Sequence, residues 1–300
     1  MVKSPKLSIV IGSYHNKDLT INTIKSIYKY SIGVDFEIIV IDDASNDGIY
    51  EYIENNFPNI VLRRNYKNLS YSKTYNRGSK LARGKYILHL NADSVFTKKT
   101  NLLEVIKYMD ENPSVGMLGN RVLSPNGKLD PDNRHQIPTL ANAIGQSLGL
   151  YKIFPSIKSL NYYMTYLRND EFAEVGGVGA FMLFRKEVLK DVGLLDTNFK
   201  IYCQDSDFCY RVAKSGWKII YYPNSTVIHF GAGSFKRFRI KTQIIFHEDL
   251  WRFYKKHLIT LYPQIVKYVI FIGLFFRFFI FLFLEIYLEF ESRFRNEKLN

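Results

Sequence analysis

Three acidic clusters and one histidine are the residues of this chain best suited to chemistry. Asn91-Ala92-Asp93 follows the apolar run Tyr86–Leu90, and Asp42-Asp43-Ala44-Ser45-Asn46-Asp47 follows Phe36–Ile41. Gln204-Asp205-Ser206-Asp207 opens a helical pattern, and His229 comes after the run Trp217–Tyr222. A carboxylate at the carboxyl end of a buried strand points to where open α/β sheets hold ligands. Asp93 so placed suits a divalent cation on a diphosphate, because Mg²⁺ takes few protein carboxylates and completes its shell with phosphate oxygens. Consecutive carboxylates such as Asp42 and Asp43 repel each other unless something binds there, and one could accept from a nucleobase N–H. The plainer alternative makes Asp42 turn chemistry and Asp47 a helix cap. Asp205 suits a general base that deprotonates a hydroxyl, while Asp207 serves equally well as a cap. A neutral His229 imidazole can join a metal, although a lone histidine is more often structural.

The elements that must hold these residues follow from pattern. Leu7–Ile11 is a continuous β-branched run closed by Gly12, the signature of a buried parallel strand. Its apolar stretch is too short for the core of a leader peptide. The spacing predicts helices over Leu19–Tyr30, Ile49–Phe57 and Ser72–Ala82, alternating with strands over 36–41, 60–63 and 86–90. Such β-α alternation calls for a doubly wound α/β sheet, mostly parallel and flanked by helices. Beyond it the pattern predicts a helix at Thr100–Asn112, strands at 115–118, 181–184 and 217–222, and helices at 186–191 and 205–215. Residues 124–140 read as a long loop, in which Arg134 could meet acceptor or phosphate, and 141–175 are ambiguous. Gly176-Gly177-Val178-Gly179-Ala180 lacks bulk over five positions, which permits a ligand to approach the backbone closely. It does not match a dinucleotide fingerprint.

Composition narrows the partners. The chain of 300 residues is 47% hydrophobic with a net charge of +13, so it can build a full core and favours anionic partners. Two cysteines five residues apart suggest neither zinc nor a disulfide framework. The final segment changes character: Trp251–Lys256 interleaves aromatics with cations, and Ile265–Phe290 is mostly Phe, Ile, Leu and Tyr. Only Tyr268–Leu284 is free of end charges, and Arg277 interrupts it, whereas a spanning helix needs about 20 apolar residues. At about 100° per residue, Lys267, Arg277, Glu285 and Glu289 share roughly a third of the helical wheel. A helix lying in the interface of an anionic membrane fits that better than one crossing it. Charge gathered near apolar runs argues against nucleic acid.

The order and spacing of these motifs resemble the family 2 glycosyltransferases of GT-A (Rossmann-like) fold, in their rhamnosyltransferase-like branch. The likeness runs from residue 7 to about 260. It rests on Ser8–Ile11, Ile41–Asp47, Asn76-Arg77-Gly78 with Ala82-Arg83-Gly84, Leu90–Asp93, Val192–Asp196, Gln204–Phe208 and Gly216-Trp217 through Pro223 to His229. The resemblance implies a donor nucleotide held by Ser13, Tyr14, Asp42, Asp43, Asn68, Lys73, Asn76, Asn91 and Ala92. It implies a divalent cation (Mn²⁺ or Mg²⁺) on Asp93 and His229, Asp205 as catalytic base, and Arg134, Gly179 and Asp207 near the acceptor. This chain departs from the family pattern at Asn91, a poorer ligand than Asp, and at Gln204, where the usual Glu would add a negative charge beside Asp205. It departs again at Ser70, usually Gly, and at Leu195-Asp196-Thr197, usually Phe-Asp-Glu.

The expected function is therefore inverting sugar transfer from a dTDP- or UDP-linked donor to a saccharide or lipid-linked acceptor in cell-surface polysaccharide synthesis. The expected place is the cytoplasmic face of the cell membrane. Residues 1–240 would form the catalytic domain and 241–300 a membrane-associating helical tail, with a homodimer admissible. Two other readings stay open at this point: a sugar-phosphate nucleotidyltransferase, which would want a cationic Gly-rich loop after the first strand, and a non-catalytic scaffold on the same fold.

Overall fold

The computed structural model describes residues 4–130, 133–231 and 239–297. The chain divides into two compact units, Met1–Lys200 with Gln204–Ser234, and Ile201–Cys203 with Phe235–Asn300.

In the first unit the alternation seen in the sequence becomes β1 (Leu7–Ser13), α1 (Lys17–Tyr30), β2 (Phe36–Asp42), α2 (Ile49–Asn56), β3 (Val61–Arg64), α3 (Tyr71–Leu81) and β4 (Tyr86–Asn91). There follow β5 (Ser94–Phe96), α4 (Leu102–Glu111), β6 (Val115–Leu123), α5 (Leu140–Ser147), α6 (Leu150–Ile153), β7 (Ala173–Glu174) and β8 (Phe181–Arg185). The unit closes with α7 (Val188–Val192), α8 (Gln204–Lys214) and β9 (Lys218–His229).

Side chains alternate across a strand, and the sheet accordingly separates two layers of core. Leu7, Ile9 and Ile11 of β1 pack with Ile24 and Ile27 of α1, Ile53 of α2 and Val105 and Met109 of α4. Val10, on the opposite face of β1, packs with Tyr75 of α3 and with Phe208 and Val212 of α8. Gly78 lets α3 settle on the sheet, since a Cβ there would strike the Val10 side chain.

Strand order is β3-β2-β1-β4-β8-β6-β9-β5, with β7 paired to β9. The first four strands are parallel, as the alternation predicts. The mostly parallel expectation ends there. β8 runs antiparallel between β4 and β6, and β5 and β7 run antiparallel to β9, which is itself parallel to β6. β5 follows β4 directly and β8 follows β7 directly, with no helical crossover of the kind that imposes a parallel sense.

In the second unit, α9 (Arg239–His257) and α10 (Gln264–Glu297) are the two helices of the expected tail. Arg277 of α10 lies over the Phe246 ring of α9, 5.1 Å from its centroid, and Trp251 meets Phe271 edge-on. The charged stripe thus turns toward α9 at Arg277. Ile265, Tyr268, Ile272, Phe275, Phe276, Phe279 and Phe283 are exposed on α10. The side chains of Glu285 and Glu289 lie outside the described residues. No helix among the described residues is long and apolar enough to cross a membrane.

Candidate active site

The corner around Asp93 is made by strand pairing. Asp93 precedes the three-residue β5, whose Ser94 sits opposite His229 at the end of β9, and the Asp93 carbonyl accepts from the Phe230 amide at 3.0 Å. Two residues 136 positions apart in sequence are thereby brought side by side: His229 Nε2 lies 3.2 Å from Asp93 Oδ1. Asn91 Nδ2 lies 3.3 Å from the same nitrogen. The other ring nitrogen, Nδ1, lies 2.8 Å from Asp130 Oδ2.

Asp130 did not emerge from the sequence, where it falls inside the presumed loop 124–140. β6 runs on to Leu123 alongside Ile228, a short bridge joins Leu123 to Leu129, and the Asp130 amide donates to the Val122 carbonyl. That return presents the Asp130 carboxylate to His229. Burial works against charge on the His229 imidazole, but hydrogen bonds and charge from Asp130 and Asp93 outweigh it and raise its pKa to about 9.

These residues fit a divalent cation in one specific way. Metal-bound histidines commonly give their second ring N–H to a carboxylate, which fixes ring and tautomer, and Asp130 is placed to receive it. Asp93 and His229 Nε2 would be the ligands, with Asp130 behind the ring. Among the described residues no group of three or more His, Cys, Asp or Glu side chains forms a ready metal cage. A cation here would need further oxygens from elsewhere, as a diphosphate supplies.

Asp205 begins α8 and is half-buried. Burial raises its pKa above the usual aspartate value, and the Ser206 amide, donating at 2.8 Å, opposes that only in part. Its neighbour Gln204 is buried, with an Oε1 that has no hydrogen-bond partner among the described residues. Tyr71, at the start of α3, feels the charge of both ends of the site. Burial, Tyr75 and Asp205 raise its phenol pKa well above normal, and the charge of Asp93 adds to the effect. It stacks on Tyr75, whose hydroxyl donates to the Leu90 carbonyl at 2.8 Å. Tyr71 was missed because nothing in a lone tyrosine at a helix start signals a site.

Asp207, two residues past Asp205, is fully buried and accepts from Arg211 Nε at 2.9 Å. Arg211 in turn donates to the carbonyls of Val192 and Leu194. Through Arg211, Asp207 thus braces the 192–195 turn. Asn76 braces the same turn: its amide donates to the Leu195 carbonyl at 2.8 Å and its Oδ1 accepts from the Leu195 amide at 2.9 Å.

On the donor side, Asp43 Oδ1 accepts from Asn65 Nδ2 at 2.7 Å and from the Leu69 amide at 2.8 Å, which shapes the 65–69 loop. Asp42 accepts from the Ser45 amide, and Arg64 Nε stands 3.0 Å from its Oδ2 as an ion pair. Ser13 is buried against Thr20, with 2.9 Å between hydroxyls, and the Ala92 carbonyl accepts from Thr23. Tyr14, Asn68 and Lys73 are exposed, with Asn68 Oδ1 accepting from the Ser70 amide at 3.2 Å.

Packing bears on two more of the expected acceptor-side positions. Arg134 is only 2% exposed; its guanidinium donates to the carbonyls of Leu167 and Arg168 and lies over the Tyr221 ring. Gly176 and Gly177 are crowded by the chain's own residues: a Cβ at Gly176 would strike the Ile137 backbone, and one at Gly177 the His135 ring. The glycines serve the His135–Gly177 bridge, and Gly179, in the same stretch, lends its carbonyl to the Phe181 amide.

Fold and corner together define a GT-A-like α/β protein with an acidic, histidine-backed site at its strand ends. Residues 8–193 match Glycosyl transferase family 2, and the chain belongs to that family. It is similar to the N-acetylglucosaminyl-diphospho-decaprenol L-rhamnosyltransferase of Mycobacterium tuberculosis (strain CDC 1551 / Oshkosh), at 24% identity over 213 residues, 66% of this chain and 67% of the relative. It is also similar to the poly(ribitol-phosphate) beta-N-acetylglucosaminyltransferase TarP of Staphylococcus aureus (strain N315), 26% identical over 161 residues, 50% of this chain and 48% of the relative. Among solved structures, the mannosyltransferase PcManGT from Pyrobaculum calidifontis, in complex with GDP-Man and Mn²⁺, shares the fold. The TM-score is 0.57 at 16% identity, over 85% of this chain and 64% of that chain.

Proposed function

We propose that this glycosyltransferase inverts configuration while moving a sugar, rhamnose being the leading choice, from a dTDP- or UDP-linked donor to a lipid-linked or saccharide acceptor in cell-surface polysaccharide synthesis. The observation that carries the reading is the corner in which Asp93 Oδ1 and His229 Nε2 stand 3.2 Å apart, joined through Tyr71 to a carboxylate whose pKa burial raises. The relatives named as an N-acetylglucosaminyl-diphospho-decaprenol L-rhamnosyltransferase and a poly(ribitol-phosphate) beta-N-acetylglucosaminyltransferase support the acceptor class.

In this mechanism Asp93 and His229 would hold the divalent cation, with Asn91 beside them and Asp130 fixing the imidazole. A cation held there would supply charge to neutralise the departing diphosphate. Asp205 takes the proton of the acceptor hydroxyl as that oxygen bonds to the anomeric carbon, and the bond to the diphosphate breaks on the opposite face. A carboxylate with a raised pKa is a stronger base for this step than an ordinary aspartate. Ser13, Tyr14, Asp42, Asp43, Asn68 and Lys73 line the nucleotide side.

Residues 1–240 act as the catalytic domain and 241–300 as the tail, which lies on the cytoplasmic face of the membrane. The exposed Phe and Ile side chains of α10 support that placement. The deciding experiment is a panel of nucleotide sugars incubated with the protein and Mn²⁺, read as release of nucleoside diphosphate. Release from one dTDP- or UDP-sugar, lost in Asp93→Ala, is expected. Pyrophosphate release, or no turnover of any donor, would sink the reading.

A further inference from the structure

The segment between Asn133 and Asn169 turns its polarity inside out. It contains no Asp or Glu over 37 residues (169 − 133 + 1). Its best-buried side chains include asparagines: Asn142 is 1% exposed and Asn161 is fully buried. Several of its large apolar residues face outward, with Leu148 at 68%, Ile153 at 66%, and Ile144, Phe154 and Ile157 also exposed.

This is a built lobe. Thr139 and Asn142 form a reciprocal cap on α5. Asn161 Nδ2 donates to the Pro155 carbonyl at 3.2 Å and to Thr165 Oγ1 at 2.8 Å, and its Oδ1 accepts from the Thr165 amide. Gln136 Nε2 ties the Lys158 carbonyl to the lobe's base at 2.6 Å, and Gly145 lets α5 pack directly on the Leu160 backbone. A lobe so held by internal hydrogen bonds does not expose isoleucines through looseness. Monomers tend to expose such clusters where something binds.

The charge says what binds. Lys152 and Lys158 project beside the apolar residues, over Tyr151 and Tyr166, and neither has an acidic partner among the described residues. Apolar side chains flanked by lysines, with no acid nearby, complement an anionic bilayer interface. The lobe also grows from the metal corner, since Arg134 and His135 follow Asp130 by only a few residues and His135 is bridged to Gly177 in the catalytic unit.

We propose that the lobe of residues 137–160 docks the catalytic unit onto an anionic membrane surface, through Leu148, Ile153, Phe154 and Ile157 with Lys152 and Lys158. This deepens the lipid-linked acceptor reading on which it rests, because it brings the site to the bilayer without relying on the tail.

The test uses the full chain carrying Cys203→Ser, with an environment-sensitive NBD dye on Phe154→Cys or, as a control, on Tyr66→Cys, which is 84% exposed in the wild-type residue. With vesicles of phosphatidylcholine and phosphatidylglycerol, the dye at 154 should shift to the blue and brighten while that at 66 stays unchanged. The pair Ile153→Glu with Phe154→Glu should weaken vesicle partition by about a hundredfold, the scale of losing two partly buried apolar side chains. Chain that sediments with vesicles while the dye at 154 does not respond overturns the lobe and leaves the tail standing. Chain that stays in the supernatant overturns membrane docking altogether. A shift at 154 that grows with protein concentration, with no vesicles present, makes the lobe a contact between copies and also overturns the proposal.

Discussion

The two ends of the candidate site treat their carboxylates in opposite ways. At the metal corner, Asp93 and Asp130 flank His229 at 3.2 and 2.8 Å, and their charge holds a proton on the imidazole up to about 9. At the other end, Asp205 has no cation within ion-pair distance among the described residues, and burial raises its pKa. On the proposed reading, the first end would hold a cation and the second would accept a proton. Asp207 shows that the contrast depends on surroundings and not on residue type. It sits on the same helix as Asp205, yet it is fully buried with Arg211 as a partner and belongs to the scaffold.

The contrast between Asp205 and Asp207 is the easiest to break and carries the largest effect. Asp205→Asn should lower turnover by about 10²–10⁴, the range for a lost general base, with donor affinity little changed. Asp207→Asn should instead lower stability by up to about 3 kcal/mol, because Arg211 loses a buried ionic partner, and its folded fraction should keep turnover. Equal loss of activity in both variants at equal folded fraction would erase the distinction. The pH profile gives a second reading. A raised Asp205 pKa leaves the base protonated at higher pH than an ordinary aspartate, so the acid limb of kcat/KM should lie above about pH 4.

The metal corner supplies the next effect. Asp130→Asn keeps the shape but removes the carboxylate behind the His229 ring. Losing such a partner commonly costs about 10–100-fold in metal affinity. Mn²⁺ titration followed by electron paramagnetic resonance should show that loss, with Asp130→Glu recovering part of it and thermal stability close to the parent. Unchanged Mn²⁺ affinity in Asp130→Asn would make Asp130 a structural neighbour only.

How much of this was legible depended on how far apart the partners lie. The strands through β4 and the carboxylates at their ends were readable because each is a local run of apolar residues followed by its own turn. Asp93 as a candidate ligand at a strand end needed only the motif around it. Its pairing with His229 runs through β5, three residues with too little pattern to mark a strand. Asp130 was hidden because β6 and β9 extend beyond their apolar centres, Leu123 beside Ile228, and only that extension turns a polar loop into part of the corner. The glycines at 176 and 177 were readable as a close approach, but not as an approach of the chain to itself. Buried arginines such as Arg134 escape for the same reason: a cation that satisfies distant carbonyls looks, in sequence, like one left in solvent.

The smallest effect tests the element that links the two ends. Ser70 precedes α3 with φ 77° and ψ 166°, a region open essentially to glycine alone, where another residue costs on the order of 1–3 kcal/mol. It also sits directly before Tyr71, whose phenol feels both Asp205 and Asp93. Its amide donates to Asn68 Oδ1 and its carbonyl accepts from Thr74, and glycine would keep both bonds. Ser70→Gly should therefore relieve strain, offset in part by the greater freedom of glycine in the unfolded chain, for a net gain of about 1 kcal/mol. Urea unfolding should show a higher midpoint at unchanged slope. Turnover should stay at the parent level, because the path of the backbone into Tyr71 is the one that glycine adopts most easily. A higher midpoint joined to a fall in turnover would mean that the strain at Ser70 holds Tyr71 against the two carboxylates, and the link between the ends would then be conformational as well as electrostatic.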